Sequence, residues 1–317
     1  MVIYRITLYL YWPYGVFTKM DIPGPKPLPY FGTMMEYKKG FTNFDTECFQ
    51  KYGRIWGIYD GRQPVLCTMD KSMIKTVLIK ECYNIFTNRR DFHLNGELFD
   101  AVSVAEDDTW RRIRSVLSPS FTSGRLKEMF GIMKQHSANL LNGMKKQADK
   151  DQIFSQAMIF IFEEIDTVFP NKSLRLYPIM LRLERVAKKT VEINGIVIPK
   201  DCVVLVPTWA LHRDLEIWSD PEEFKPERFS KENKESIDPY TYMPFGAGPR
   251  NCIGMRFALI MIKLAIVEIL QSLTFSVCDE TEYPTLEYHT LSYPREPYPR
   301  GLYPTLEYPT LEGPTLP

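Results

Sequence analysis

Pro244-Phe-Gly-Ala-Gly-Pro-Arg-Asn-Cys-Ile-Gly254 decides the reading of this chain. Its glycines let a loop pass close to a flat ligand, because no Cβ stands between backbone and cofactor. A helical run from Ile253 to Leu273 follows at once, so the Cys252 thiol sits where a helix begins. Backbone N–H groups and the helix dipole favour thiolate over thiol there, the state an iron ligand requires. Arg250, two residues earlier, is placed to donate a charge-assisted hydrogen bond to an acidic group of such a ligand. The spacing Phe245-x-x-Gly248-x-Arg250-x-Cys252-x-Gly254 fixes five residues in ten positions, far more than a lone glycine-rich loop carries. A free cysteine in an apolar setting is more often a small core residue, and that reading holds for Cys82 and Cys202.

Outward from the loop the pattern is mixed. The run from Ile253 to Leu273 is apolar nearly all round and is expected to be a buried helix. Phe41 to Tyr52 and Lys71 to Tyr83 have helical spacing, and Arg54 to Met69 alternates around Asp60-Gly61, the dipeptide of a tight hairpin. Asn88 to Asp108 reads as a long loop. Helix resumes at Thr109, pauses at Ser118-Pro-Ser120 and runs again from Ser123 to about Ala148. A second hairpin is expected over Val191 to Ile198, with Asn194-Gly195 at its turn, followed by a β-branched run from Val203 to Val206. The fold class is therefore α+β, mainly helical with small antiparallel sheets.

The 317 residues carry 39 basic and 39 acidic side chains, so no global field argues for a nucleic-acid partner. Apolar residues make up 44% of the chain, enough to bury a sizeable core. Six cysteines without a CxxC pair point to a reducing compartment, not a disulfide framework. Residues 1–20 are apolar and rich in Tyr and Trp, but Arg5 and Pro13 interrupt them. The run is shorter than the about 20 apolar residues of a membrane span and reads as a shortened anchor or an interfacial segment. The competing reading is a buried N-terminal element. Residues 21–29 form a stiff proline-rich hinge in this reading, and residues 30–278 form the folded body. From 279 to 317, Tyr-Pro-Thr-Leu-Glu recurs at Tyr283, Tyr303 and Tyr308. Proline at that density predicts extended, largely disordered chain, either a polyproline-like ligand or repetitive sequence without selected structure.

The ligand loop resembles the haem-binding signature of the cytochromes P-450, and the wording FGAGPRNCIGMRFAL is similar to the mammalian 3A subfamily. Other landmarks fall in the same order: the proline-rich hinge, Trp110 and Arg114 at W-x-x-x-R spacing, Ser118-Pro-Ser-Phe-Thr-Ser-Gly124, Arg182-Leu-Glu-Arg-Val186, Ala210-Leu-His-Arg-Asp214 and Pro226-Glu-Arg-Phe229. The resemblance covers about Tyr11 to Cys278, with gaps. It implies the cytochrome P-450 fold, haem b as cofactor and Cys252 as the axial ligand of its iron. It places Phe245, Gly248 and Gly254 in the haem-binding loop and makes Trp110, Arg114 and Arg250 holders of the propionates. It also implies a monooxygenase that oxidises lipophilic xenobiotics or steroids with electrons from NADPH, passed through NADPH-cytochrome reductase. Such enzymes lie on the cytoplasmic face of the endoplasmic reticulum membrane, with lipid as a partner. Arg111, Arg112 and Lys263 are basic residues suited to docking an acidic reductase. His212 falls in a structural segment and is expected to be a hydrogen-bonded core residue.

The chain departs from the family pattern in three places. The oxygen-side helix of the family carries Ala/Gly-Gly-x-Asp/Glu-Thr, whose acid and alcohol deliver protons to bound dioxygen. Here its lead-in, Ser155-Gln-Ala-Met-Ile-Phe-Ile-Phe162, is followed by Glu163-Glu-Ile-Asp-Thr167. Asp166 and Thr167 fall at the acid-alcohol spacing and are the catalytic candidates, although Glu164 replaces the glycine that makes room for dioxygen. The family's Glu-x-x-Arg pair is lost as well. Lys172 stands three residues before Arg175, so Lys172, Arg175 and Arg228 are expected to converge without their carboxylate. Breaking a buried ion pair costs about 3–5 kcal/mol, so marginal folding and poor haem retention are expected. Finally, the helices that roof the substrate pocket are missing between about Ala148 and Ser155, which opens the distal face to water. The alternative to an active enzyme is a non-catalytic haem-binding or misfolded remnant.

Overall fold

In the computed structural model, which describes residues 12–91, 101–148, 174–223 and 225–272, the chain starts with Val16–Lys19 (α1), a single turn that buries Phe17. Phe41–Tyr52 (α2) follows. It is bounded by Gly40 and Gly53, whose φ of 83° and 84° lies in the region glycine enters without penalty. Ile55–Asp60 (β1) and Gln63–Thr68 (β2) form the first hairpin, paired from Ile55↔Thr68 to Asp60↔Gln63. Lys71–Lys75 (α3) starts at Asp70, whose carboxylate accepts from Met73 N–H at 2.7 Å. It then widens into a π-helical turn over Thr76–Lys80, and Glu81 N–H reaches back to Thr76 O at 2.9 Å.

Asp107–Leu117 (α4) and Ser123–Ala148 (α5) run in series, separated by the 3-10 turn Ser118–Phe121. Pro119 lacks the N–H that would carry one helix into the next. Four strands come next: Arg182–Val186 (β3), Val191–Ile193 (β4), Ile196–Ile198 (β5) and Val203–Pro207 (β6). Thr208–Leu211 (α6), Lys231–Lys234 (α7) and Met255–Leu270 (α8) are the helices that follow, and 3-10 turns form at Trp12–Gly15, Met34–Lys39 and Pro226–Phe229. The β4–β5 hairpin turns at Asn194 and Gly195, both at positive φ (52° and 78°), as an Asn-Gly turn of the mirror-image type demands.

The main sheet has the order β1-β2-β6-β3. All five residues of β6 are buried, which is why its sequence is a continuous apolar run and does not alternate. The sheet is mixed. β1–β2 and β3–β6 pair antiparallel as expected, but β2 and β6 pair parallel, from Val65↔Val203 to Cys67↔Leu205. A long crossover joins those two strands, so the connection does not impose a hairpin. Trp56, Ile58, Leu66, Met73, Ile74, Leu78 and Phe86 pack with β6 into one core.

Residues 12–29 lie against β1. The Phe17 ring occupies the space beside Gly57, where an added Cβ would stand 2.3 Å from it, and Gly24 presses on the Gly57 carbonyl from another direction. Residues 1–11 lie outside the described residues, as do Asp166, Thr167, Lys172, the expected gap in the roof and the repeat tail. Among the described residues no helix is long and apolar enough to cross a membrane.

One helix corrects its expectation. α8 was expected to be buried all round, yet Ile269 is its buried residue and Val267 is 50% exposed. It packs on Leu141 and Met144 of α5. Most of its other apolar residues are half-buried, so its apolar surface is covered only in part.

Candidate functional site

The ligand loop is closed by its own backbone. Gly246 N–H donates to Met243 O at 3.0 Å, Asn251 N–H to Gly248 O at 3.0 Å and Cys252 N–H to Phe245 O at 2.9 Å. Phe245 is buried and anchors the loop. Gly248 has a φ of 72°, and a Cβ there would stand 2.0 Å from Leu78 O. The close approach that demands glycine at this position is therefore to the protein's own π-helical turn. Gly254 is the N-terminal flank of α8 at a φ of −86°, where a Cβ would meet only the Phe121 ring, at 3.7 Å.

Cys252 thus lies just before the start of α8, and it is exposed. Cys48, Cys67, Cys82 and Cys202 are all buried. Burial pushes the Cys48 and Cys202 thiols up to about 12, which keeps them protonated and unreactive. The reading of Cys82 and Cys202 as core residues fits this placement.

Around Cys252 the fold gathers cations. Arg114 on α4 donates to Asn251 O at 2.7 Å and to Asn251 Oδ1 at 2.8 Å. Arg250 is 2% exposed; it donates to the carbonyls of Ser103 and Ala105 and lies over the Trp110 ring, 4.6 Å from its centroid. Trp110 is itself buried. The sequence-predicted residues Trp110, Arg114, Arg250 and Cys252 therefore converge, while Asp166 and Thr167 fall outside the described residues.

Two further arginines join them that sequence reasoning missed. Arg89 donates to Arg250 O at 2.9 Å. Arg185 is 1% exposed and donates to Glu184 O at 2.7 Å. Burial, then the neighbouring charges of Arg89 and Arg250, bring Arg185 down to about 9. Burial and Arg89 bring Arg250 down to about 10. Arg89 and Arg114 are lowered by burial too, opposed by the nearby Cys252 sulfur. The signal for Arg185 was its place in the strand: it shares the buried face of β3 with Leu183, where an arginine needs a partner. For Arg89 the sequence offered only a basic dipeptide in a loop.

Among the described residues, none of Arg89, Arg114, Arg185 and Arg250 forms an ion pair with a carboxylate. Nε of Arg185 and Nε of Arg250 are buried without a hydrogen-bond acceptor. Buried charge left in that state is costly, so the cluster has the chemistry of a site for an anionic ligand. A planar cofactor with two carboxylates and an iron that takes a thiolate fits this donor set. Haem b is such a cofactor.

A sequence profile of cytochrome P-450 matches residues 22–169 and 171–299. The chain belongs to the cytochrome P-450 family. Its enzyme class follows: it is a monooxygenase, an oxidoreductase. The chain is 56% identical to cytochrome P-450 3A27 of Oncorhynchus mykiss, over 90% of this chain and 89% of that protein. It is 46% identical to cytochrome P-450 3A40 of Oryzias latipes, over 88% and 90%, and 35% identical to cytochrome P-450 3A29 of Sus scrofa, over 88% and 90%. The 3A resemblance holds, with more identity to these fish members than to the mammalian one. The first of these alignments spans 462 positions, more than the 317 residues of this chain. Internal stretches of that P-450 relative therefore have no counterpart here.

Other P-450 landmarks fix the loop from behind. His212 is fully buried; its Nδ1 lies 3.1 Å from Arg175 O, and its Nε2 accepts from Met243 N–H at 3.0 Å. The ring therefore holds its proton on Nδ1 and is neutral, and burial lowers it to about 3. Arg175 donates to the carbonyls of His212, Pro221 and Glu223 and lies over Trp218. Arg228 donates to the carbonyls of Ser219 and Asp220, while its Nε and one terminal nitrogen are buried without an acceptor.

Proposed function

We propose that this chain binds haem b through Cys252 as axial ligand, with Arg89, Arg114, Arg185 and Arg250 around the propionates. The supporting observation is the juxtaposition, among the described residues, of one exposed thiol with buried guanidinium groups that form no ion pair with a carboxylate. Trp110 supports Arg250 from below through its ring face. The loop hydrogen bonds hold Cys252 just before the start of α8. Haem ligated by thiolate supplies the oxygen-activating chemistry of the family. The chain's own residues supply binding, charge neutralisation and orientation.

The reaction in this reading is insertion of one oxygen atom into lipophilic xenobiotics or steroids. Electrons come from NADPH through NADPH-cytochrome reductase, at the cytoplasmic face of the endoplasmic reticulum membrane. Arg111, Arg112 and Lys263 offer a docking face for the reductase. Asp166 and Thr167 are the proton-delivery candidates by spacing. A second reading, a haem-binding protein with little turnover, is favoured by the internal stretches this chain lacks.

The test is a reduced carbon-monoxide difference spectrum of the haem-supplemented protein beside Cys252→Ser. A thiolate-type Soret band that the variant loses supports the ligand assignment. A neutral-ligand band in the unmodified protein, or none, refutes it. With ligation established, turnover of a lipophilic substrate with added reductase separates the two readings.

A further inference from the structure

Arg250 is held by residues that lie on both sides of one kink in the chain. Its terminal nitrogens donate to the carbonyls of Ser103 and Ala105, and its guanidinium lies over the Trp110 ring. Ser103 and Ala105 precede α4, whereas Trp110 is inside it. Between them stands Asp107 with a φ of 42°, in the left-handed region that an L-residue enters only at a cost. Asp and Asn are the side chains that tolerate it best. Glu106, just before, is extended at a φ of −108° and a ψ of 156°, so the chain turns sharply at residue 107. That turn lets a loop and the helix after it face the same guanidinium.

The kink has its own lock. Asn88 is buried and meets Asp107 with both ends of its amide: Oδ1 accepts from Asp107 N–H at 3.0 Å, and Nδ2 donates to Asp107 Oδ2 at 3.2 Å. Asn88 is anchored to the sheet in turn, because its carbonyl accepts from N–H of Val186, the last residue of β3, at 2.9 Å. Lys188 adds a contact from Nζ to Asp107 Oδ1 at 2.6 Å. The Lys188 and Asp107 side chains are 28% and 47% exposed, and an ion pair that open to solvent contributes little. The Asn88 grip is therefore the main lock on the kink.

We propose that Asn88 and Asp107 are positioning residues for Arg250: their contact fixes the kink that gathers Ser103, Ala105 and Trp110 around that guanidinium, and so sets where it meets an anionic ligand. The inference rests on the haem reading for the identity of that ligand, and neither residue touches the cofactor. What Asp107 supplies is shape, not charge. Its carboxylate is among the charges that act on Arg250, and a negative charge there competes with an anionic ligand. Asparagine at 107 would keep the left-handed turn and an oxygen for Asn88 Nδ2 while removing that charge. Alanine would lose the grip and bear the cost of the turn.

Hemin titration of the apo full chain tests this, together with amide hydrogen exchange followed by mass spectrometry, in wild type, Asn88→Ala, Asp107→Ala and Asp107→Asn. Both alanine variants are expected to bind hemin about 10–100-fold more weakly, the usual reach of residues behind a cofactor's direct contacts. Asp107→Asn is expected to bind at least as tightly as wild type, a rescue by the conservative variant. In the apo chain, both alanine variants are expected to exchange faster over residues 244–254 as well as over 101–117, with the β4–β5 hairpin at its wild-type rate. Wild-type hemin affinity in either alanine variant overturns the proposal, as does an Asp107→Asn protein as weak as Asp107→Ala. Exchange over 244–254 that stays at the wild-type rate overturns it too, because the kink is then uncoupled from the loop that carries Arg250. Should Asn88→Ala fail to fold, Asp107→Ala beside Asp107→Asn decides in both measurements. If wild type takes up no hemin, the haem reading fails separately, and the exchange pattern decides the positioning of Arg250 by itself.

Discussion

Gly248→Ala is the substitution whose cost can be worked most directly from the geometry. The backbone there has a φ of 72°, in the left-handed region that costs an L-residue about 1–2 kcal/mol. The new methyl would also stand 2.0 Å from Leu78 O, 2.9 Å from Leu78 C and 3.2 Å from Ile79 Cγ1. The two nearest atoms are backbone of the π-helical turn, so relief needs movement of the loop or the turn, and overpacking of that kind costs about 1–3 kcal/mol. Together the two effects remove about 2–5 kcal/mol of folding stability. Gly131 and Gly143 are internal controls: both lie inside α5, and an added Cβ meets nothing within 4 Å. Alanine at either is expected to stabilise by about 0.5–1 kcal/mol. At about 2–4 °C per kcal/mol, circular-dichroism melts should show Gly248→Ala falling by at least about 4 °C while the two α5 variants rise slightly. The haem band of Gly248→Ala should fall as well, since the loop that moves carries Cys252. A Gly248→Ala protein that melts with wild type and retains its haem band would refute the close-approach argument.

Three more outcomes are expected. Asp45 and Arg182 form a bidentate pair at 2.7 and 2.8 Å, with side chains 1% and 11% exposed; Asp45→Asn should cost about 3–5 kcal/mol in urea unfolding, and a loss within the error of the midpoint would count against the pair. His212 binds its proton only near pH 3 when folded, against 6.5 normally, so the unfolded chain takes up a proton that the folded one refuses. Stability contributed by His212 is thus complete above about pH 6.5 and is lost as pH falls toward 3, at up to about 1.4 kcal/mol per pH unit; His212→Gln, which can accept from Met243 N–H and donate to Arg175 O, should show a shallower acid slope between pH 7 and 5. Lys172→Glu should raise both Tm and haem content, because Arg228 retains two buried N–H groups without acceptors; no change in either would dismiss the lost carboxylate as a cause of weakness.

What was legible in the sequence was what short segments decide. Asp60-Gly61 and Asn194-Gly195 set their turns through residues that accept positive φ, and both hairpins form. Pro119 separates α4 from α5, and the Phe245–Gly254 spacing encodes a loop closed by its own backbone bonds. What long-range contact decides was not legible. The parallel pairing of β2 with β6 leaves no mark on either strand, because both are apolar runs that suit either direction. The apolar α8 predicts burial only if neighbours exist to cover it. Gly248 was singled out for closeness to a flat ligand, whereas the backbone that needs its missing Cβ belongs to Leu78, far away in the sequence. Arg185 looked like an ordinary strand residue until its buried face and its lack of a carboxylate were seen together.

The proximal half of the site draws on the sheet, the π-helical turn, α4 and the ligand loop, which are bonded to one another. His212, Arg175 and Trp218 tie that half together through buried hydrogen bonds and a ring contact. The oxygen-side function rests on other segments, and the alignment shows that stretches of the relatives are absent. On the proposed haem assignment, affinity for haem and competence in turnover would be carried by separable parts of this chain. Electrostatics favours the first: four guanidinium groups that pair with no carboxylate among the described residues lower the free energy of a bound dianion whether or not a substrate pocket is roofed. Turnover additionally requires water exclusion and a proton donor held within hydrogen-bond reach. A protein that shows the thiolate band and consumes NADPH without oxidising substrate would locate its defect on the oxygen side, because the cation cluster and Cys252 would have been shown competent.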